Sequence, residues 1–346
     1  MPSSRAIGAE TQPGEHLRSV AILGGGMAGW SAAAALARRL TGPLQCQIRL
    51  VDPPSAAPVD PLALSTLPTA GEFHDLLRLD EDALVLGARG SFKLGTRFVG
   101  WSGEAGGYFE PFGAFGASLD GAAFHHFVAR LRTLGQPAVL QDYSLGAVAA
   151  QLGRFRRPVE DSRSVLSTLS YALHLDAGRY VAMLRALAET LGVQRLAAEV
   201  DQVVPDGDGG LRALVLSSGE RIEADLFIDC SGRLIGEALA EPFEDWSGWS
   251  PFDSRLEVIR AAAEAPAPYT TLTAQGDGWR VHTPLQGAAG EAQIYSRAAT
   301  SDDAAAARLG AGEAEPRLVR LRYGRRARAW VGNCVAIGEA AGLPGP

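Results

Sequence analysis

Apolar residues in this chain fall into unbroken runs, alternating stretches and helical spacings, and each pattern predicts a different element. The run Val20, Ala21, Ile22, Leu23 is apolar on both faces, as a buried parallel strand requires. It enters Gly24-x-Gly26-x-x-Gly29 and continues into an Ala-rich, helix-forming stretch over residues 31–40. A second run, 47–51, ends in Asp52, 23 positions after Gly29. Residues 53–68 are punctuated by proline and predict an extended loop, followed by a helical stretch over 71–86. Over 91–99 the alternation predicts one strand, with Phe92, Leu94 and Phe98 on one face and Lys93, Gly95 and Arg97 on the other. Residues 100–121 form a glycine- and aromatic-rich loop, and helical patterns follow at 122–134, 145–155 and 177–191. Short strands are predicted at 196–204, 213–217, 221–223 and 225–229, with a turn at 206–210. A hairpin over 269–296 turns at Gly276-Asp277-Gly278, and a last strand lies at 335–337.

The first strand–turn–helix unit has the chemistry of a dinucleotide site. Gly24 permits a tight turn, Gly26 removes the side chain that would hold a pyrophosphate off the backbone, and Gly29 lets helix and strand approach. The helix N-terminus offers unpaired N–H groups to the phosphates, and Asp52 stands where a carboxylate takes a ribose 2′-hydroxyl.

Two later segments favour FAD over NAD. Residues 225–232, DLFIDCSG, form a buried strand ending in Asp229 and small residues. Residues 332–342, GNCVAIGEAAG, run from a strand into Gly338-Glu339-Ala340-Ala341-Gly342, a second glycine-rich junction with an acid after its first glycine. The glycines of 206–210 lie between strands with no helix following, and no second GxGxxG occurs. Electrons are therefore expected from a separate flavin reductase or from free reduced FAD.

Composition narrows the picture. The 346 residues suffice for two interleaved lobes. Net charge is −7 with no basic stripe, so no nucleic-acid partner is expected. The densest positive cluster, 317–328, reads as a solvated strand pair with alternating arginines. Cys46, Cys230 and Cys334 sit in apolar runs and read as buried free thiols of a reducing, cytoplasmic compartment. No metal site is expected from the six histidines. Glycines and Trp30 interrupt the apolar stretch 20–37, which excludes a membrane segment there.

The ordered motifs GGGMAGW (24–30), TLPT (66–69), SFKLGTRFVGW (91–101), YFEPFG (108–113), YALHLDAGRY (171–180), DCSG (229–232) and GNCVAIGEAAG (332–342) resemble those of the flavin-dependent tryptophan halogenases. The resemblance runs from about residue 20 to 342. It implies an α/β fold: a Rossmann-like FAD lobe of the glutathione-reductase type, with an inserted substrate lobe of antiparallel sheet and helices. The FAD lobe is expected from about 18–70, 177–240 and 317–346, the inserted lobe from about 85–176 and 245–316, and residues 1–17 are expected to be disordered. FAD contacts are implied at Gly24, Gly26, Met27, Ala28, Gly29, Asp52, Val200, Asp229, Gly338 and Glu339. In that family, reduced FAD, oxygen and halide yield hypohalous acid, which passes to a lysine beside a small aromatic substrate. The lysine matches Lys93, and substrate contacts are implied at Glu110, Phe112 and Trp279.

Several positions depart from the family pattern. The Gly-Glu-Ala-Thr-x-Pro string is Ala63-Leu64-Ser65-Thr66-Leu67-Pro68, so its carboxylate is Leu64. Trp-x-Trp-x-Ile-Pro becomes Trp279-Arg280-Val281-His282-Thr283-Pro284, and His-Pro-Phe becomes Glu110-Pro111-Phe112. The family's catalytic glutamate follows the GxAAG junction, and no residue among 342–346 is nominated for it. The expectation is a short or C-terminally truncated, divergent member. An aromatic-ring monooxygenase and a non-catalytic FAD- or ligand-binding relative remain open alternatives.

Overall fold

The computed structural model describes residues 17–42, 45–56, 60–103, 106–310 and 314–345. The disorder expected of 1–17 therefore lies outside the described residues except at Leu17, which packs against the core.

The apolar run at the start of the chain becomes the strand Ser19–Leu23, at the middle of a six-stranded sheet. The sheet order is Trp330–Val331, Cys334–Ala336, Leu226–Asp229, Ser19–Leu23, Gln47–Val51 and Gln194–Leu196. All neighbours are parallel except Trp330–Val331. Successive side chains of a strand point to opposite faces, and both faces are apolar here. Val20 and Ile22 enter one core cluster with the helices Met27–Leu40 and Ala177–Thr190, while Ala21 and Leu23 enter another with Val200, Leu214 and Ile222. The second face is covered by a small antiparallel sheet of Val200–Pro205, Leu211–Leu216 and Arg221–Glu223. Its turn is tied by Asp206, whose Oδ1 accepts the Asp208 and Gly210 amides.

A seven-stranded sheet runs Arg317–Arg320, Ser254–Ala261, Ala288–Tyr295, Gly278–Leu285, Thr270–Gln275, Gly95–Val99 and Gly107–Pro111. Its pairs are antiparallel except Thr270–Gln275 with Gly95–Val99. A three-stranded sheet of Ala63–Ser65, Ala172–Asp176 and Ser91–Lys93 is separate from both. The mixed α/β class is thus observed.

Several boundaries differ from the sequence reading. The strand expected over 91–99 is two strands in different sheets. It breaks at Leu94, whose amide donates to the Pro268 carbonyl while its own carbonyl accepts the Phe112 amide. Lys93 and Gly95 therefore do not share one strand face. The helical stretch 71–86 divides into Ala70–Leu77 and Glu81–Gly87, because Arg78 turns left-handed at φ 56° and Asp80 caps the second helix. The strand expected over 196–204 splits between the six-stranded sheet and its small cover. The region 269–296 is a three-strand meander, and the loop 100–121 contains the strand Gly107–Pro111.

The 317–328 cluster is also not a strand pair. Arg317–Arg320 joins the seven-stranded sheet and Gly324–Arg326 a separate one, and the six-stranded sheet regains the chain at Trp330. Its arginines are paired rather than simply solvated: Arg317 with Glu257, Arg320 with Asp302, Arg325 with Glu244 and Arg328 with Glu241.

Candidate functional site

At the C-terminal edge of the parallel sheet, where strands release into loops, lies a cleft of about 620 Å³. Its floor is the glycine turn. Gly24 has φ 116°, a conformation that favours glycine, and a Cβ on Gly29 would stand 1.8 Å from the Gly24 carbonyl oxygen. Gly26 is the N-cap of Met27–Leu40 and offers no side chain to its amides. Gly338, at φ 61°, brings the second glycine junction so close that a Cβ there would lie 2.8 Å from the Ala28 methyl. The two junctions named from the sequence therefore meet: Gly24, Gly26, Met27, Ala28, Gly29, Asp52, Gly338 and Glu339 all line this cleft.

The lining carboxylates are not equivalent. Asp52 accepts a hydrogen bond at Oδ2 from Arg195 Nε at 2.8 Å, within an ion pair whose Nη2–Oδ2 distance is 2.7 Å. It lies so close to Gly25 that a Cβ there would stand 1.9 Å from Oδ1, so any side chain at Gly25 would displace the carboxylate that Arg195 holds. Burial pushes the Glu339 carboxyl above its ordinary range, against the pull of Arg255. Asp60, which the sequence reading passed over, accepts the Met27 amide at Oδ2 over 2.6 Å. Cys230 also lines the cleft, and burial pushes its thiol up to about 12, which keeps it protonated at neutral pH.

Two residues named for cofactor contact sit elsewhere. Asp229 is fully buried and outside the cleft lining. Its Oδ1 accepts the Ser231 amide and hydroxyl and the Gly232 amide, and its Oδ2 accepts the Ile235 amide. Those four bonds use the carboxylate to shape the turn beneath the cleft. The Val200 side chain is buried in the core, and its carbonyl accepts from the Arg233 guanidinium at 3.2 Å.

A second constellation surrounds Lys93. Strand pairing with Ala172–Asp176 places this lysine inside the protein, 5 % exposed, with Nζ donating to the Thr66 carbonyl at 3.3 Å. Phe112 holds its ring centroid 5.0 Å from Nζ. Burial lowers the ammonium pKa to about 8, against the opposing field of Glu110. An amine so placed is partly neutral near neutral pH and can act as a nucleophile or a hydrogen-bond donor. Glu110 and Phe112 thus act on Lys93. Trp279 lies in an aromatic cluster with Phe252 and Trp101, at ring distances of 4.8 and 6.0 Å.

Behind Lys93 runs a polar chain that sequence patterning did not reveal. Ser91 donates Oγ–H to the Pro284 carbonyl at 2.7 Å, so it must accept from His174 Nδ1–H at 3.0 Å. His174 Nε2 then accepts from Thr270 Oγ1 at 2.9 Å, and Thr270 in turn accepts from Ser65 at 2.8 Å. Burial, with Lys93 nearby, lowers the His174 pKa to about 3, so the ring is neutral. Only the histidine in the YALHLD string signals this network in one dimension, and its partners come from four separate segments.

The cleft has the shape of a dinucleotide site: a glycine floor at a helix N-terminus, with a second glycine junction as its wall. FAD is the cofactor of the flavin-dependent halogenases that resemble this chain. The tryptophan halogenase family model matches residues 19–346. Tryptophan 6-halogenase ThaL of Streptomyces albogriseolus is 31 % identical over 360 residues, covering 94 % of this chain and 66 % of that protein. Tryptophan 7-halogenase RebH of Lentzea aerocolonigenes is 31 % identical over 359 residues, covering 93 % and 65 %. The chain thus spans slightly less than two thirds of the length of these relatives. Among solved structures, the flavin-dependent halogenase BrvH from Brevundimonas sp. BAL3 superposes with a TM-score of 0.88 at 40 % identity, covering 94 % of this chain and 67 % of that one. With the family model matching residues 19–346 of this chain and this fold shared, the chain belongs to the tryptophan halogenase family.

Proposed function

We propose that this chain binds FAD in the glycine-floored cleft and contributes to electrophilic halogenation of a small aromatic substrate beside Lys93. Gly24, Gly26, Met27, Ala28 and Gly29 would hold the pyrophosphate, with Asp52 toward the ribose and Gly338 and Glu339 along the second junction. Bound reduced FAD, oxygen, halide and a proton together supply hypohalous acid, oxidised FAD and water. The acid then exchanges its halogen for an aromatic hydrogen, releasing a second water. The FAD lobe, from about 18–70, 177–240 and 317–346, and the inserted lobe, from about 85–176 and 245–316, would keep the two steps apart. A separate flavin reductase supplies the electrons, and the unpaired cysteines favour a cytoplasmic setting.

The observation that supports this reading is Lys93 itself. A lysine 5 % exposed, held by the Thr66 carbonyl and covered by Phe112, is costly to bury and has no carboxylate within ion-pair distance among the described residues. That cost is understandable where an amine of lowered pKa must hold an electrophile in a dry pocket. Residues Ala63–Ser65 and Thr66 join the two sites, since Asp60 lies at the cleft and Thr66 at Lys93. Lys93→Ala should abolish halogenated product while reduced FAD is still reoxidised by oxygen. Product mass with reduced FAD, chloride or bromide and a panel of indoles and phenols tests this. Halogenated product retained by Lys93→Ala would refute the role, and hydroxylated product from the parent protein would point to a monooxygenase.

A further inference from the structure

The cradle that should receive a pyrophosphate already holds an anion of the protein's own. Asp60 places Oδ2 2.6 Å from the Met27 nitrogen, the first amide of Met27–Leu40. The same oxygen lies 2.8 Å from where a Gly26 Cβ would stand, so it occupies the space that the missing side chain leaves. A carboxylate at a helix N-terminus satisfies an otherwise unpaired N–H and meets the positive end of the helix dipole. A phosphate bound there would make the same contacts. The backbone of Asp60 is anchored independently, because its carbonyl accepts from Arg317, which also pairs with Glu257. The side chain can therefore rotate away without the segment losing its hold.

The surroundings sharpen the conflict. Asp52, Asp60, Glu199 and Glu339 all line the cleft, with Arg233 as the basic residue in the lining. Asp52 is ion-paired with Arg195, and Glu199 accepts the Ser55 amide at 2.8 Å, while Asp60 lies on the helix amide. We infer that Asp60 is a built-in competitor of the dinucleotide pyrophosphate, holding the Met27 amide when the site is empty and yielding it when the nucleotide binds. The inference rests on the dinucleotide reading of the cleft. Its consequence is a weaker and more exchangeable flavin, which suits an enzyme whose reduced cofactor is delivered by another protein.

Asp60→Asn keeps the shape and the acceptor oxygen but removes the charge. FAD and ADP should bind this variant roughly tenfold to a hundredfold more tightly than the parent, with slower release, because a full negative charge no longer faces the diphosphate. Adenosine, which lacks phosphate, should bind both proteins alike. Flavin fluorescence quenching and calorimetry measure these affinities without reference to turnover, and a cooperative thermal unfolding transition of the empty variant confirms its fold. Asp60→Ser is the second variant, shorter and uncharged, and should show the same sign. Equal or weaker FAD and ADP binding by both variants would overturn the inference while leaving the flavin reading intact. Failure of FAD and ADP to bind any of the three proteins would overturn both.

Discussion

In the glycine turn, the groups offered to the proposed cofactor are backbone amides, and the side chains that matter are those that are missing; at Lys93 the proposed group is one side chain, and its setting comes from other segments. The turn is continuous in sequence over Gly24–Gly29, and its shape follows from contacts between its own residues, such as Gly29 against the Gly24 carbonyl. The Lys93 pocket combines Thr66, Phe112 and Glu110 with a support of Ser91, His174, Thr270 and Ser65. The difference teaches where each site is vulnerable. Adding atoms destroys the first, whereas removing hydrogen-bond partners or charge alters the second.

The largest expected effect separates two glycines of one motif. Gly29→Ala forces a methyl into the Gly24 carbonyl, a backbone atom that cannot yield, and should cost about 3 kcal/mol or more of stability. Gly26→Val meets mainly the movable end of Asp60, so the protein should remain folded while FAD binding is lost. Urea unfolding and FAD titration of both variants check this, and a folded Gly29→Ala protein of parental stability would break the distinction.

The Lys93 pocket should show itself in the pH dependence of stability. The lysine keeps its proton up to its ordinary pKa of 10.5 when unfolded, and only to about 8 when folded. Between those values the unfolded chain binds more protons, so the parent protein gains stability from this group as pH rises. Lys93→Met removes that dependence. Its stability advantage over the parent should be greatest below pH 8 and shrink by about 3 kcal/mol by pH 10.5. Unfolding curves at pH 7 and pH 10 measure the change, and a constant difference would mean that the ammonium is not desolvated.

A smaller effect is expected behind the lysine. Ser91→Ala leaves His174 Nδ1–H and the Pro284 carbonyl without their buried partner, at a cost of roughly 1–3 kcal/mol. Ser91→Thr, which keeps the hydroxyl, should recover part of it. Thermal unfolding of the two variants decides whether the polar chain supports this strand.

The sequence by itself determined the parallel sheet around Ser19–Leu23, the glycine cradle and the second junction at Gly338, because each depends on residues adjacent along the chain. An apolar run has to be buried on both faces, and a turn that allows no Cβ has to be glycine. It also pointed to Lys93 through the resemblance of its motif. It did not reveal that Leu94 divides residues 91–99 between two sheets, since a bond to Pro268 outweighs unbroken alternation. Nor could it separate Asp229 from Asp60. Both are carboxylates near a glycine turn, yet one is consumed by four local hydrogen bonds under the cleft and the other reaches an amide 33 positions away. Which carboxylate is buried, which is paired and which faces the cleft depends on segments distant in the chain, and only the tertiary structure brings those together.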